Sequence, residues 1–167
     1  MISANHQRVE DSEMFSLFES IADTCWDRVD KWQWLAKWTV GRQLVRAADA
    51  IGANIAEGAG RFGQADSIHF FVIARASARE TQFWLKRCSR RRLIAAPEVK
   101  KLLTDLNKAA TLLNGLITYR RKNSPSAVRE ELAVYQADSE FSVDGISEEA
   151  WAQIRAEIER VPQEATQ

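Results

Sequence analysis

The segment from residue 46 to residue 81 constrains the fold most strongly, because it joins two helical patterns through a glycine-rich stretch. Before the glycines, apolar residues recur at the i, i+4, i+7 and i+11 spacing of one helix face: Leu44, Ala48, Ile51 and Ile55. After the glycines, the same spacing continues with mostly smaller side chains: Phe70, Ala74, Ser77, Ala78 and Thr81. Small residues along one stripe let two helix axes approach closely. The segment therefore predicts a tightly packed helical hairpin within an all-α fold.

Further helical patterns flank this hairpin on both sides. One lies near residues 12–34, and another begins at Pro97, which suits the first turn of a helix. The hairpin itself is predicted to contain helices near residues 39–57 and 64–91. Four amphipathic helices with short connections predict an antiparallel, up-and-down four-helix bundle over residues 12–122.

The glycines of the hairpin, Gly58, Gly60 and Gly63, match the GxGxxG pattern of a dinucleotide-binding loop. In that fold the loop follows a strand, whereas here it follows a predicted helix. We therefore interpret the pattern as the turn of the hairpin, in which glycine ends a helix through a positive φ. A further role stays open, because the loop's N–H groups and Arg61 could hold a phosphate of an RNA or DNA backbone.

The zero net charge of the chain conceals an uneven distribution. Residues 1–123 carry 20 Lys and Arg against 13 Asp and Glu, whereas residues 124–167 carry 3 against 10. A basic body with an acidic extension indicates either a polyanionic partner or binding between the two parts.

Basic residues concentrate on the third predicted helix and on the segment before it. Arg75, Arg79, Lys86 and Arg90 fall within about 60° of one another on a helix with ~100° per residue. Arginine suits bidentate contacts with phosphate, so we predict a surface that binds an RNA or DNA backbone. The predicted contact residues are Arg42, Arg46, Arg61, Arg75, Arg79, Lys86, Arg87, Arg90, Arg91 and Arg92. The alternative is a solvated helix face whose cations form ion pairs.

The acidic extension, residues 123–167, is predicted to contain a short amphipathic helix near residues 147–161. Ser147 suits the N-cap of this helix. Its narrow apolar stripe comprises Trp151, Ile154, Ile158 and Val161. A stripe this narrow cannot support an independent fold, so we expect it to dock on a protein partner or on a neighbouring subunit.

The chain shows no pattern typical of a metal site or a catalytic site, and we expect neither an enzyme nor a cofactor. His69 lacks a partner at His-x-x-x-His spacing, and no paired Cys motif occurs. Glu57 and Glu80 could form a hydrolytic carboxylate pair, but ion pairing explains such residues more often than catalysis does.

The cysteines, the N-terminus and the hydropathy pattern indicate a cytoplasmic protein that does not enter a membrane. Cys25 and Cys88 lie at apolar positions and are expected to be buried thiols, with a disulfide as the alternative. The N-terminus is polar and acidic, unlike a secretory signal. No apolar run approaches the ~20 residues that cross a bilayer.

Five of the six tryptophans divide into two groups, and the sixth, Trp151, belongs to the apolar stripe of the extension. Trp26, Trp32 and Trp84 fit core or core-edge positions of helices. Trp34 and Trp38 lie between predicted helices, where they could cover the bundle end, contact a neighbouring subunit or stack on an unpaired base.

The hairpin resembles a bacterial four-helix-bundle family first noticed in intervening sequences of large-subunit ribosomal RNA genes. The residues that carry this resemblance are 46–48, Ile51, 54–58, 60–61 and 73–80. That family is related to the accessory variability protein of diversity-generating retroelements. The resemblance covers residues 12–122. It implies a homopentameric, non-enzymatic bundle that associates with nucleic acid, as an accessory of an RNA-processing or reverse-transcriptase complex. The acidic extension lies outside the family pattern.

Overall fold

A computed structural model describes residues 8–124 of the chain. Four long helices make up most of this part: α1 (Glu13–Asp30), α2 (Arg42–Ala59), α3 (Gln64–Arg90) and α4 (Ala96–Lys122). Helix α1 packs against α2 and α4, and α3 packs against the same two helices from the other side. The predicted all-α bundle is thus confirmed for the described residues, which contain no strand. The predicted helix near residues 147–161 lies outside them.

The connection from α1 to α2 differs from the prediction, because α1 ends at Asp30 instead of near residue 34. The chain then forms one α-helical turn, Trp34–Ala36, and a π-helical turn, Lys37–Gly41, which continues directly into α2. The Nζ atom of Lys37 donates hydrogen bonds to the carbonyl oxygen of Asp30 at 2.9 Å and to its Oδ1 atom at 2.6 Å. These bonds link the first residue of the π-helical turn to the last residue of α1.

The glycine segment forms the turn between α2 and α3, as predicted. The predicted reason was wrong, because no glycine of the described residues has a positive φ, and that of Gly60 is −78°. Gly58 is required instead by close packing. A Cβ atom there would lie 2.8 Å from Cε1 of Phe71 and 2.9 Å from the backbone oxygen of Ser67. The missing side chain therefore allows α2 and α3 to touch.

The sequence pattern predicted a buried face of α3 that begins with Phe70. In the structure this face is centred on Phe71 instead. Phe71 is fully buried, whereas Phe70 is half-buried at the edge of the bundle. The other buried apolar residues of α3 are Ile68, Ala74, Ala78, Leu85 and Cys88. Bulky residues thus lie on both sides of the small residues Ala74 and Ala78 in the buried face of α3.

The predicted core position of Trp26 was also wrong, because 60% of this residue is exposed. Trp32 and Trp84 are half-buried and pack against the core, as predicted. Cys25 and Cys88 are buried free thiols, which confirms the expectation of thiols over a disulfide. Burial raises the pKa of each thiol to about 12, so both stay protonated near neutral pH. Among residues 8–124, no helix is apolar over a length that would span a bilayer.

Candidate nucleic-acid interface

Seven of the ten predicted contact residues fall into three groups with different environments. Arg75 alone forms the first group, because only 7% of its surface is exposed. It lies four residues after Phe71 and three before Ala78, and this spacing places it on the buried side of α3. The prediction that Arg75 belongs to an exposed basic face was therefore wrong.

The second group lies along the middle and the glycine end of the hairpin, where acidic partners offset the charge. Nη2 of Arg46 lies 2.8 Å from Oε1 of Glu80, which also accepts a hydrogen bond from Nε1 of Trp84 at 3.3 Å. Arg61 forms an ion pair with Glu57, and its guanidinium group lies over the ring of Phe70, 4.7 Å from the centroid. Here the alternative interpretation, a solvated face with ion pairs, describes the surface.

The same contacts bear on the hydrolytic interpretation of Glu57 and Glu80. Each carboxylate binds an arginine of its own, and both groups are partly exposed to solvent. No group of three or more His, Cys, Asp or Glu residues between positions 8 and 124 is arranged to hold a metal ion. Ion pairing therefore accounts for the positions of both carboxylates.

The third group, which we call the arginine cluster, comprises Arg87, Arg90, Arg91 and Arg92 at the C-terminal end of α3. Arg90, Arg91 and Arg92 are exposed, and Arg87 is half-buried. Within residues 8–124, no carboxylate forms an ion pair with any member of the cluster. Burial and the nearby charge of Arg90 lower the pKa of the adjacent Lys86. In the part of the chain that the structure describes, positive charge therefore accumulates here without an acidic partner.

The backbone at the arginine cluster adopts a conformation that normally requires glycine. Arg92 has a φ of 57°, the single positive value among the non-glycine residues that the structure describes. Its N–H group donates to the carbonyl of Ser89 at 2.9 Å, and the N–H group of Leu93 donates to that of Cys88 at 2.9 Å. This pair of bonds defines a Schellman cap, whose left-handed residue is usually glycine. An arginine in this conformation costs about 1–2 kcal/mol.

A groove of about 950 Å³ separates the arginine cluster from the connection between α1 and α2. Its described lining contains three cationic residues and no acidic one. The lining residues are Lys31, Trp32, Gln33, Leu35, Ala36, Thr39, Val40, Arg91, Arg92 and Leu93. Apolar and cationic surfaces thus face the same space, and such a surface attracts anions that carry an apolar part.

Sequence reasoning missed Lys31 and assigned Trp32 to packing alone. Adjacent basic and aromatic residues at positions 31 and 32 were a weak signal of a binding surface. Only the tertiary structure places them beside Arg91 and Arg92, which are about 60 positions later in the chain. Arg42, which was predicted to join the same surface, lines a different groove.

That second groove, of about 350 Å³, lies between α1 and the start of α2 and is mainly apolar. Its lining comprises Trp26, Val29, Asp30, Lys37, Trp38, Arg42, Val45 and Arg46. Trp26 and Trp38 are both more than half exposed, and Trp34 is exposed on the turn before Trp38. The surface is therefore suited to contact with another protein surface more than to phosphate.

Comparison with known proteins gives a family and a fold. The family described as 23S rRNA-intervening sequence protein matches residues 10–115, which include α1, α2, α3 and most of α4. One similar solved structure is that of a protein with unknown function from the S23 ribosomal protein family of Bacteroides thetaiotaomicron. The two chains are 25% identical with a TM-score of 0.54, over 62% of this chain and 94% of the other. No curated protein matches the chain.

Proposed function

This chain belongs to the 23S rRNA-intervening sequence protein family, and on that basis we propose that it is a non-enzymatic bundle that binds nucleic acid. The observation that supports this proposal best is the arginine cluster, which lies without acidic partners among the described residues. Exposed arginines attract phosphates and release counterions from the nucleic acid when they bind.

The proposed contacts are to the backbone and do not select a sequence. The arginine cluster provides most of the attraction, because Arg46 and Arg61 would have to exchange a carboxylate partner for a phosphate. Arg42 and Arg79 extend the surface along the hairpin. The glycine turn beside Arg61 is a secondary phosphate site in this proposal.

The resemblance extends the proposal to the assembly and its surroundings. We propose that the bundle forms a homopentamer in the cytoplasm and serves as an accessory of an RNA-processing or retroelement-like reverse-transcriptase complex. The apolar groove around Trp26 and Trp38 supports the proposal of an assembly, because contact with another chain would cover it. In this arrangement residues 12–122 form the bundle, and residues 123–167 form a separate extension.

Titration of the full chain into a mixed pool of RNA and DNA tests the binding. We expect complex formation at 50 mM salt and a loss of affinity of about 10-fold or more at 200 mM salt, because several phosphates are neutralised. A triple variant at the cluster (Arg90→Gln, Arg91→Gln and Arg92→Gln) should bind weakly. A matched triple variant (Arg42→Gln, Arg46→Gln and Arg61→Gln) should retain more affinity. Absence of binding at low salt, or binding that salt does not weaken, would refute the proposal.

A second candidate function, a protein-interaction scaffold, is supported by the apolar stripe of the extension and by the exposed groove around Trp26 and Trp38. In this proposal Trp151, Ile154, Ile158 and Val161 dock on a partner or on a neighbouring subunit. Removal of residues 124–167 should then change the oligomer mass in solution or abolish recovery of a partner. An unchanged complex would count against the scaffold.

The two functions can also be combined, with the acidic extension competing for the arginine cluster. Removal of residues 124–167 should then raise the affinity for nucleic acid, because ten acidic residues leave with three basic ones. An unchanged affinity would exclude competition.

A further inference from the structure

Two unusual backbone segments border the same groove at one end of the bundle. One is the π-helical turn Lys37–Gly41, and the other is the left-handed Arg92. Thr39 and Val40 of the π-helical turn line the groove, together with Arg92. Strained or irregular backbone of this kind concentrates at binding sites, where it positions side chains that regular helices would point elsewhere.

The side chain of Arg92 contributes nothing to the helix cap that it occupies. Both capping bonds are made by backbone atoms, from Arg92 to Ser89 and from Leu93 to Cys88, and a glycine would make the same bonds at lower cost. What the arginine adds is a positive charge in the lining of the groove, which Arg91 and Lys31 also line.

The connection between α1 and α2 contributes apolar side chains to the groove lining, and the π-helical turn packs closely against one of them. Trp32 lies so close to Gly41 that a Cβ atom there would be 3.3 Å from Cε3 of Trp32 and 2.5 Å from Cγ1 of Val29. Trp32 is half-buried against the core, and Leu35 beside it is 68% exposed. Aromatic and cationic side chains thus line the same groove.

We propose that this groove binds an unpaired nucleotide of a single-stranded nucleic acid. Arg91, Arg92 and Lys31 hold its phosphates, and its base packs against Trp32 and Leu35. The inference rests on the proposed function, which is binding of the nucleic-acid backbone. It adds that the protein prefers single-stranded to double-stranded nucleic acid. The apolar side chains of the lining favour single strands over duplexes, because the faces of bases in a duplex are covered by their neighbours, whereas an unpaired base offers a free face.

Fluorescence anisotropy with labelled 12-nucleotide single strands and the corresponding duplexes tests the groove, with RNA and DNA in separate arms. The full chain should bind a single strand of either kind about 5-fold or more tightly than its duplex, because stacking on an aromatic side chain adds affinity for free bases. Equal binding of RNA and DNA would indicate that contacts to the phosphate and the base are sufficient for binding. Tighter binding of RNA would indicate a further contact to the 2′-hydroxyl group. Both results support the groove.

Variants at Arg92 separate the charge from the fold. Arg92→Gly removes the charge and fits the left-handed conformation, so it should fold while weakening single-strand binding about 5–10-fold and lowering the salt slope by about 1. Arg92→Asn, which also tolerates this conformation, should behave alike. Leu35→Ser should weaken single-strand binding and leave duplex binding unchanged. Lys101→Gln, which removes one exposed charge on α4 outside the groove and outside the predicted contact residues, should change single-strand binding less than 2-fold.

The outcomes distinguish the groove from the broader proposal. If Arg92→Gly and Arg92→Asn fold and bind single strands as tightly as the parent chain, the groove proposal is overturned while nucleic-acid binding stands. Equal affinity of the parent chain for single strands and duplexes also overturns it. If the parent chain binds no nucleic acid at low salt, both proposals fail together.

Discussion

The two ends of helix α3 differ in how residue type and backbone conformation are matched. At its N-terminal end the chain carries glycines, yet none of them adopts a positive φ. At its C-terminal end the chain adopts a positive φ, yet the residue there is Arg92. We refer to these as the glycine end and the arginine end.

The two ends differ in what the residue at the critical position contributes. Gly58 removes a side chain so that α2 and α3 can touch, and therefore it serves packing. Arg92 places a charged side chain at a backbone position where glycine would be less strained, and in the proposed function this side chain serves the surface. At the glycine end, the residue type permits close packing and so stabilises the fold. At the arginine end, the left-handed backbone conformation of Arg92 lowers stability, while its side chain adds positive charge. Substitutions at the two ends should consequently change stability in opposite directions.

The largest effect is expected at the glycine end. Gly58→Ala should lower the free energy of unfolding by about 1–3 kcal/mol, because the new Cβ atom meets the backbone oxygen of Ser67 at 2.9 Å and the ring of Phe71 at 2.8 Å. Gly60→Ala is the matched control. Its Cβ atom would lie 3.6 Å from the nearest heavy atom, so we expect no loss. Urea denaturation of the two variants checks the difference, and equal stability would show that packing does not require Gly58.

A smaller effect of opposite sign is expected at the arginine end. Arg92→Gly should raise the free energy of unfolding by about 0.5–1 kcal/mol, because relief of the left-handed conformation exceeds the entropy cost of glycine. Arg92→Val, with a β-branched side chain, should instead destabilise the protein. Thermal unfolding measures both changes. If Arg92→Gly is destabilised, the side chain of Arg92 contributes to the fold and the comparison fails.

The smallest effect is expected between the two ends, at the ion pair of Arg46 with Glu80. Arg46→Gln should lower the free energy of unfolding by less than about 1 kcal/mol, because both side chains are substantially exposed. Its nucleic-acid affinity should fall less than that of Arg92→Gly. Arg46→Lys, which keeps the charge, is the control. An affinity loss that equals or exceeds that of Arg92→Gly would move the binding surface from the arginine end to the middle of the hairpin.

The sequence predicts the helices and the glycine turn well, since these follow from local periodicity. The shift from Phe70 to Phe71 on α3 could not be predicted, because two adjacent phenylalanines fit the helical period almost equally. The π-helical turn was missed because its five residues carry no periodicity that distinguishes them in the sequence from the α-helical residues that follow.

The candidate site was predicted only in part. The local sequence identified Arg90, Arg91 and Arg92 as a cluster of basic residues. It did not predict the left-handed conformation of Arg92, because a Schellman cap is normally recognised by its glycine. The pairing of Arg46 with Glu80 and the burial of Arg75 depend on helix packing. Lys31 and Trp32 join the site only through the fold, which brings distant parts of the chain to one groove.

Photocrosslinking tests most directly whether nucleic acid binds at the arginine end. A single strand containing 4-thiouridine would be irradiated with the full chain at low salt, and the crosslinked peptides would be identified by mass spectrometry. We predict crosslinks to Trp32, Leu35 or Leu93, which line the groove. Crosslinks confined to the exposed Phe62 and to Phe70 would place the nucleic acid at the glycine end and contradict the account.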